Sequence, residues 1–142
     1  MKIVLDINIF VSSFLWGGNP RLVLQRAIDK IDELYITKEI LDEIEDVMRR
    51  PKFHVGNYEL EYFIKAIEEI GNKIVPKKPI PNGSRDKTDN KFIECGVAAN
   101  ADYIISGDNH LLEIHEYHGI KIIAAKEYLE LQGTYGGENG IL

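Results

Sequence analysis

Asp89 and Asp108 bracket a stretch that reads as helix, turn and strand: Asn90-Lys91-Phe92-Ile93-Glu94-Cys95-Gly96-Val97-Ala98-Ala99, then Tyr103-Ile104-Ile105. An acid in the first turn of a helix and an acid just past the end of the following strand face the same edge of a parallel sheet, so the two carboxylates are expected close together. Asp6 ends another apolar run, Ile3-Val4-Leu5, and joins them there. Clustered carboxylates repel one another and are tolerable only with protons or cations between them. Oxygen-only donors select hard ions, Mg²⁺ or Mn²⁺ above all. Such an ion lowers the pKa of a bound water and stabilises charge on a phosphate oxygen, and the chemistry that fits is phosphodiester hydrolysis. The competing reading is structural: Asp86 and Asp89 cap a helix, Asp6 and Asp108 cap turns, and nothing binds.

The elements that must position these acids follow from pattern and punctuation. Asn8 stands at the mouth of a helix whose Phe14-Leu15-Trp16 end, broken by Gly17-Gly18, is expected to pack in or over the core, with a dimer surface as the sharper alternative. Asn19-Pro20 starts a second helix, from Arg21 to about Lys30. Leu34-Tyr35-Ile36 is a strand, and Thr37 caps a helix running from Lys38 to Arg50, which Pro51 stops. Its apolar stripe is Ile40, Leu41, Ile44, Val47 and Met48. At about 100° per residue, Glu43 and Glu45 lie at the two edges of that stripe, so periodicity nominates both and chooses neither. Asn57 to Ile70 is a helix ended by Gly71, and Lys73-Ile74-Val75 a short strand. A proline-rich connection then reaches Asp86, the expected N-cap, which sets Asp89 at the third helical position. Asn109 to Ile114 reads as a helical turn, His118-Gly119 as a bend, Ile120 to Ala124 as the last strand and Ala125 to Leu131 as a closing helix. Such alternation calls for an α/β/α sandwich with a central parallel sheet, its functional crevice beyond the carboxyl ends of the strands. Residues 1–132 are expected to form one domain and 133–142 a frayed tail.

Composition limits the partners. With 142 residues, 44% of them apolar, and a formal charge of -6, the chain is not one that coats nucleic acid by bulk electrostatics. Lys77, Lys78, Arg85, Lys87 and Lys91 nevertheless flank Asp89 as a local basic rim. The single cysteine, Cys95, is expected to be a small buried hydrophobe, and with no disulfide partner it points to a cytoplasmic protein. The N-terminal apolar run is too short for a signal peptide, and no run approaches the roughly 18 apolar residues of a membrane span. His110, His115 and His118 read as surface histidines, since no cysteine or HExxH pattern accompanies them.

Leu5-Asp6-Ile7-Asn8-Ile9-Phe10, Thr37-Lys38-Glu39-Ile40-Leu41-Asp42-Glu43, Asp89-Asn90-Lys91-Phe92 and Ala101-Asp102-Tyr103-Ile104-Ile105-Ser106-Gly107-Asp108, in that order, resemble the PIN-domain family, nearest to its VapC-like toxins. The resemblance spans Lys2 to about Leu131. It implies a metal-dependent ribonuclease on a three-layer α/β/α sandwich, leaving 5'-phosphate and 3'-hydroxyl ends. In that light Asp6, Glu43, Asp89 and Asp108 match the family's four acids and would be catalytic residues holding Mg²⁺ or Mn²⁺, which favours Glu43 over Glu45. Asn8 and Ser106 match polar positions that contact substrate or support the acids. Lys87-Thr88 stands where relatives often carry further acidic or proline residues, a departure that weighs against a metal role for this loop, Asp86 included. The implied partners are an RNA substrate, a second copy of the chain and a small antitoxin protein. Two rivals remain: a non-catalytic RNA- or protein-binding module of the same fold, and a phosphatase of the haloacid dehalogenase type. The second fits poorly, because Asn8 and Phe10 replace the aspartate and threonine it needs.

Overall fold

The computed structural model describes residues 1–77, 80, 83 and 89–133. The expected Asp86 cap, Lys78, Arg85 and Lys87 of the basic rim, and all of the expected tail except Gly133 lie outside the described residues. The elements run β1 (Lys2–Leu5), α1 (Ile7–Leu15), α2 (Gly18–Ile28), β2 (Glu33–Ile36), α3 (Lys38–Met48), a 3-10 turn (Pro51–Phe53), α4 (Asn57–Ile70), β3 (Gly71–Lys73), α5 (Asn90–Ala99), β4 (Tyr103–Ile105), α6 (Asn109–Leu112), β5 (Glu116–Tyr117), β6 (Ile120–Ile123) and α7 (Ala125–Leu131).

Among the described residues one sheet carries six strands, in the order β3-β2-β1-β4-β6-β5. Every pairing is parallel except β5 with β6, so the expected parallel sheet is in fact mixed, with an antiparallel strand at one edge. The extra strand is only Glu116 and Tyr117, too short for any periodicity to reveal. It is joined to β6 by His118 and Gly119, with φ of 49° and 87°. Positive φ at both central residues is the geometry of a tight hairpin whose twist matches its strands, and the expected bend at this dipeptide is that turn.

Successive residues of β4 point to opposite faces. The Tyr103 ring meets Tyr128 of α7, centroids 5.1 Å apart, while a side chain at Gly96 of α5 would meet Ile104 at 3.2 Å. Helices α7 and α5 therefore cover opposite faces, and α2 packs beside α7, giving the three-layer sandwich. The sheet between them is apolar on both sides: Ile3, Val4, Leu5, Leu34, Ile36, Ile104 and Ile105 are all buried. The α3 stripe is buried as its spacing requires, and Thr37 Oγ1 accepts the Ile40 N–H at 3.1 Å to start that helix. Phe14 packs on Phe63 of α4, while Trp16 is 72% exposed and outside the core. Cys95 is buried.

The expected strand at Lys73-Ile74-Val75 is displaced: β3 begins at Gly71, directly from the end of α4. A side chain there would stand 3.0 Å from both the Ile67 carbonyl oxygen and Ile36, a tight approach that glycine relieves where helix and strand join without a loop. Asn72 and Lys73 are polar because β3 is an edge strand, which hides it from a hydrophobic pattern. Among the described residues no helix is long and apolar enough to cross a membrane.

Candidate active site

The strand order reverses between β1 and β4: connections from β1 lead outward to β2 and β3, and the chain then returns through α5 to β4 on the other side. Carboxyl ends of strands at such a switch point splay their loops apart and leave a crevice. Leu5 and Ile105 are paired in register, so the residues that follow them, Asp6 and Ser106, emerge side by side. Both are buried, at 3% and 0% exposure.

Asp6 is the N-cap of α1, its Oδ1 accepting the Ile9 N–H at 3.1 Å. Its Oδ2 accepts a hydrogen bond from the Ser106 hydroxyl, and Ser106 Oγ in turn accepts the Asp108 N–H at 2.9 Å. The serine thus clamps the loop after β4 to the loop after β1 and holds one aspartate against the other. Burial pushes the Asp6 carboxyl from its ordinary 3.8 up to about 6, against hydrogen bonds from Ser106, Ile9 and Gly107 that favour the ionised form; the charge of Asp108 adds to the rise.

Asp108 caps α6, its Oδ1 accepting the His110 N–H at 3.2 Å. Asp89 immediately precedes α5 with helical backbone angles, φ -85° and ψ -11°, and makes no side-chain capping hydrogen bond to it; the helical position expected of it counts from Asp86, which lies outside the described residues. Asp89 lies instead with Asp108 and His110: one donor atom from each of the three falls within 4.8 Å of the others. An ion bonded at about 2.1 Å holds its donors up to about 4.2 Å apart, so small side-chain adjustments close these three around one divalent cation. Two carboxylates and an imidazole, with the buried Asp6 tied to Asp108 through Ser106, suit a divalent ion by charge and by donor type.

Glu43 and Glu45, equivalent by periodicity, separate here. Glu45 pairs with Arg49, the C-cap residue of α3, at 2.7 Å and borders the α4 side. Glu43 reaches across to Lys91 in the first turn of α5, Oε1 to Nζ 2.5 Å, in an open groove of about 590 Å³ lined also by Glu39, Asp42, Asp46 and Arg50. Lys91, expected as one cation of a solvated rim, is thus the partner of the α3 glutamate, its side chain only 13% exposed. Asn8 is exposed on the first turn of α1, two residues beyond Asp6.

The model of the PIN domain matches residues 2–110, well over half of the chain. The chain belongs to the PIN-domain family. The match takes in all four expected acids and ends at His110, so this PIN domain's crevice lies wholly inside it. PIN domains are a family of nucleases, which sets hydrolysis of a phosphodiester as the coarse activity of the fold. No curated protein gave a match to the chain. Sequence reasoning missed two residues of this PIN site. The sequence groups His110 with His115 and His118 as surface histidines; the latter two are exposed, whereas His110 is half-buried with Asp89 and Asp108. The signal that could have found it is its place two residues after Asp108, where a cap's own helix brings it back. Lys91 carried no signal beyond its charge, because its partner lies on a different helix.

Proposed function

We propose that this PIN domain is a metal-dependent endoribonuclease, the toxin of a toxin–antitoxin pair. What supports the reading is the meeting of Asp89 and Asp108 in one donor cluster of a PIN fold, with Asp6 tied to Asp108 through Ser106 and Glu43 of α3 paired with Lys91, two residues after Asp89. Asp89 and Asp108, backed by Asp6, would hold Mg²⁺ or Mn²⁺, which when bound supplies an acidified water and charge stabilisation at the phosphate. Ser106 keeps Asp6 and Asp108 in register by its two hydrogen bonds. Glu43, once Lys91 leaves it, would join the ion's ligands or orient its water, and the freed ammonium then offers hydrogen bonds to a phosphate oxygen. Asn8, exposed beside the crevice, is placed to meet the RNA strand.

The test is a single-stranded RNA carrying a fluorophore and quencher, incubated with purified protein and Mn²⁺. Cleavage that EDTA and Asp89→Asn each abolish is the expected result, and end-labelling should give 5'-phosphates. Cleavage persisting in EDTA would reject metal dependence, and no cleavage with no calorimetric Mn²⁺ binding would favour the non-catalytic module. Growth arrest on expression in a bacterial host, relieved by a neighbouring small open reading frame, would establish the toxin role.

Lys91 gives a separate prediction. Its ion pair competes with a cation for Glu43, so Lys91→Met should tighten Mn²⁺ binding about fivefold, equivalent to about 1 kcal/mol, while slowing turnover. Unchanged affinity by calorimetry would show that Glu43 takes no part in holding the ion.

A further inference from the structure

His110 lies on the four-residue helix α6 immediately after its Asp108 cap. Its backbone N–H is bonded to Asp108 Oδ1, which fixes the relation of the two residues, and its ring shares a donor cluster with both Asp108 and Asp89. The ring is half-buried, unlike those of His115 and His118. The four acids taken alone are an all-oxygen set, which suits Mg²⁺. An imidazole nitrogen changes that preference, because nitrogen donors favour first-row transition ions, with affinity rising from Mn²⁺ through Fe²⁺ and Co²⁺, over strongly hydrated Mg²⁺.

We propose that His110 donates a ring nitrogen to the ion held by Asp89 and Asp108, so that the site takes a divalent transition ion, with Mn²⁺ bound in clear preference to Mg²⁺. This rests on the metal-dependent reading above and goes beyond its four acids. The histidine sets which ion is bound, and the carboxylates supply most of the charge that binds it.

Pulsed electron paramagnetic resonance of the full chain loaded with Mn²⁺ tests this without any turnover. Modulation from a coupled imidazole nitrogen is expected in the wild type and in His118→Ala, and should vanish in His110→Ala and His110→Asn. By calorimetry, either His110 variant should lose about tenfold or more in Mn²⁺ affinity while Mg²⁺ affinity changes less than twofold. The asparagine variant keeps a polar side chain of similar reach, and an unchanged urea midpoint in EDTA certifies its fold. Mn²⁺ binding with no nitrogen modulation in the wild type, or parallel losses for both ions, would overturn the role of His110 and leave the acids as the metal set. Failure to bind Mn²⁺ at all would overturn the metal reading together with it.

Discussion

Asp6→Asn is expected to abolish RNA cleavage and, in the same molecule, to stabilise the metal-free fold. Loss of a buried acid beside the ion should cost more activity than the roughly 10- to 100-fold typical of an outer-shell partner. The stability gain follows from burial. A carboxyl raised from 3.8 to about 6 holds its proton in the folded state where the unfolded chain has already lost it. Its contribution is therefore full below about pH 3.8 and lost as the pH rises through about 6. The difference corresponds to about 3 kcal/mol, at about 1.4 kcal/mol per pH unit. Above that window the metal-free wild type carries the whole penalty of an ionised, 3% exposed carboxylate. Asparagine removes the charge and keeps one accepting oxygen, enough for the Ser106 hydroxyl or the Ile9 N–H but not for both, so part of the gain is lost. Urea unfolding in EDTA should show Asp6→Asn more stable than wild type at about pH 8, by up to about 3 kcal/mol, with the advantage gone at about pH 4. Added Mn²⁺ should stabilise the wild type more than the variant. A variant less stable than wild type at about pH 8 would mean that Asp6 is a structural cap and not a strained site residue.

Asp32 makes the opposite prediction from the opposite end of the sheet. It lies just before β2, is 3% exposed, and gathers Arg26 Nε at 2.9 Å, the Tyr128 hydroxyl at 2.7 Å and the Met1 amino group at 3.3 Å. Those contacts tie α2, α7 and the start of β1 together. Burial works to raise its carboxyl, but the hydrogen bonds from Arg26 and Tyr128 and the Arg26 charge outweigh burial and hold it below the ordinary value. This contribution is present above the unfolded pKa and is lost as the pH falls through the lower folded one, in acid where Asp6 no longer costs anything. Removing one partner of a buried charge pair costs about 3–5 kcal/mol, so Asp32→Ala should lower Tm on the order of 10 °C at neutral pH. Activity per folded molecule should be unchanged below the transition. A loss of less than about 1 kcal/mol would show that Arg26 and Tyr128 find other partners when Asp32 is gone.

These two aspartates also show what can be read from sequence. Asp6 was legible because a strand's apolar run ends at it, and Asp108 for the same reason; Asp32, in a polar turn between α2 and β2, gave no sign of its burial. Helices with a strong apolar stripe or firm punctuation came out close to their bounds. The α4 helix, ended by Gly71, and α7 match residue for residue, and α3 ends two residues earlier than Pro51 suggested. What stayed hidden depends on contacts between distant segments. Glu43 and Glu45 are equivalent on one helix and differ only because Lys91 of α5 meets the first. The hydroxyl of Ser106 gains its role from Asp6, exactly one hundred residues away along the chain, through strand register alone. His110 is ordinary until α6 folds it back on Asp108.

The measurement closest to the central claim is anomalous diffraction from crystals of the full chain grown with millimolar Mn²⁺. The account requires a peak bonded directly to Asp89 and Asp108, with Asp6 and Glu43 reaching it directly or through one water. An ordered Mn²⁺ elsewhere on the molecule and none in this crevice, or Asp89 and Asp108 turned away from one another with only water between them, would contradict it.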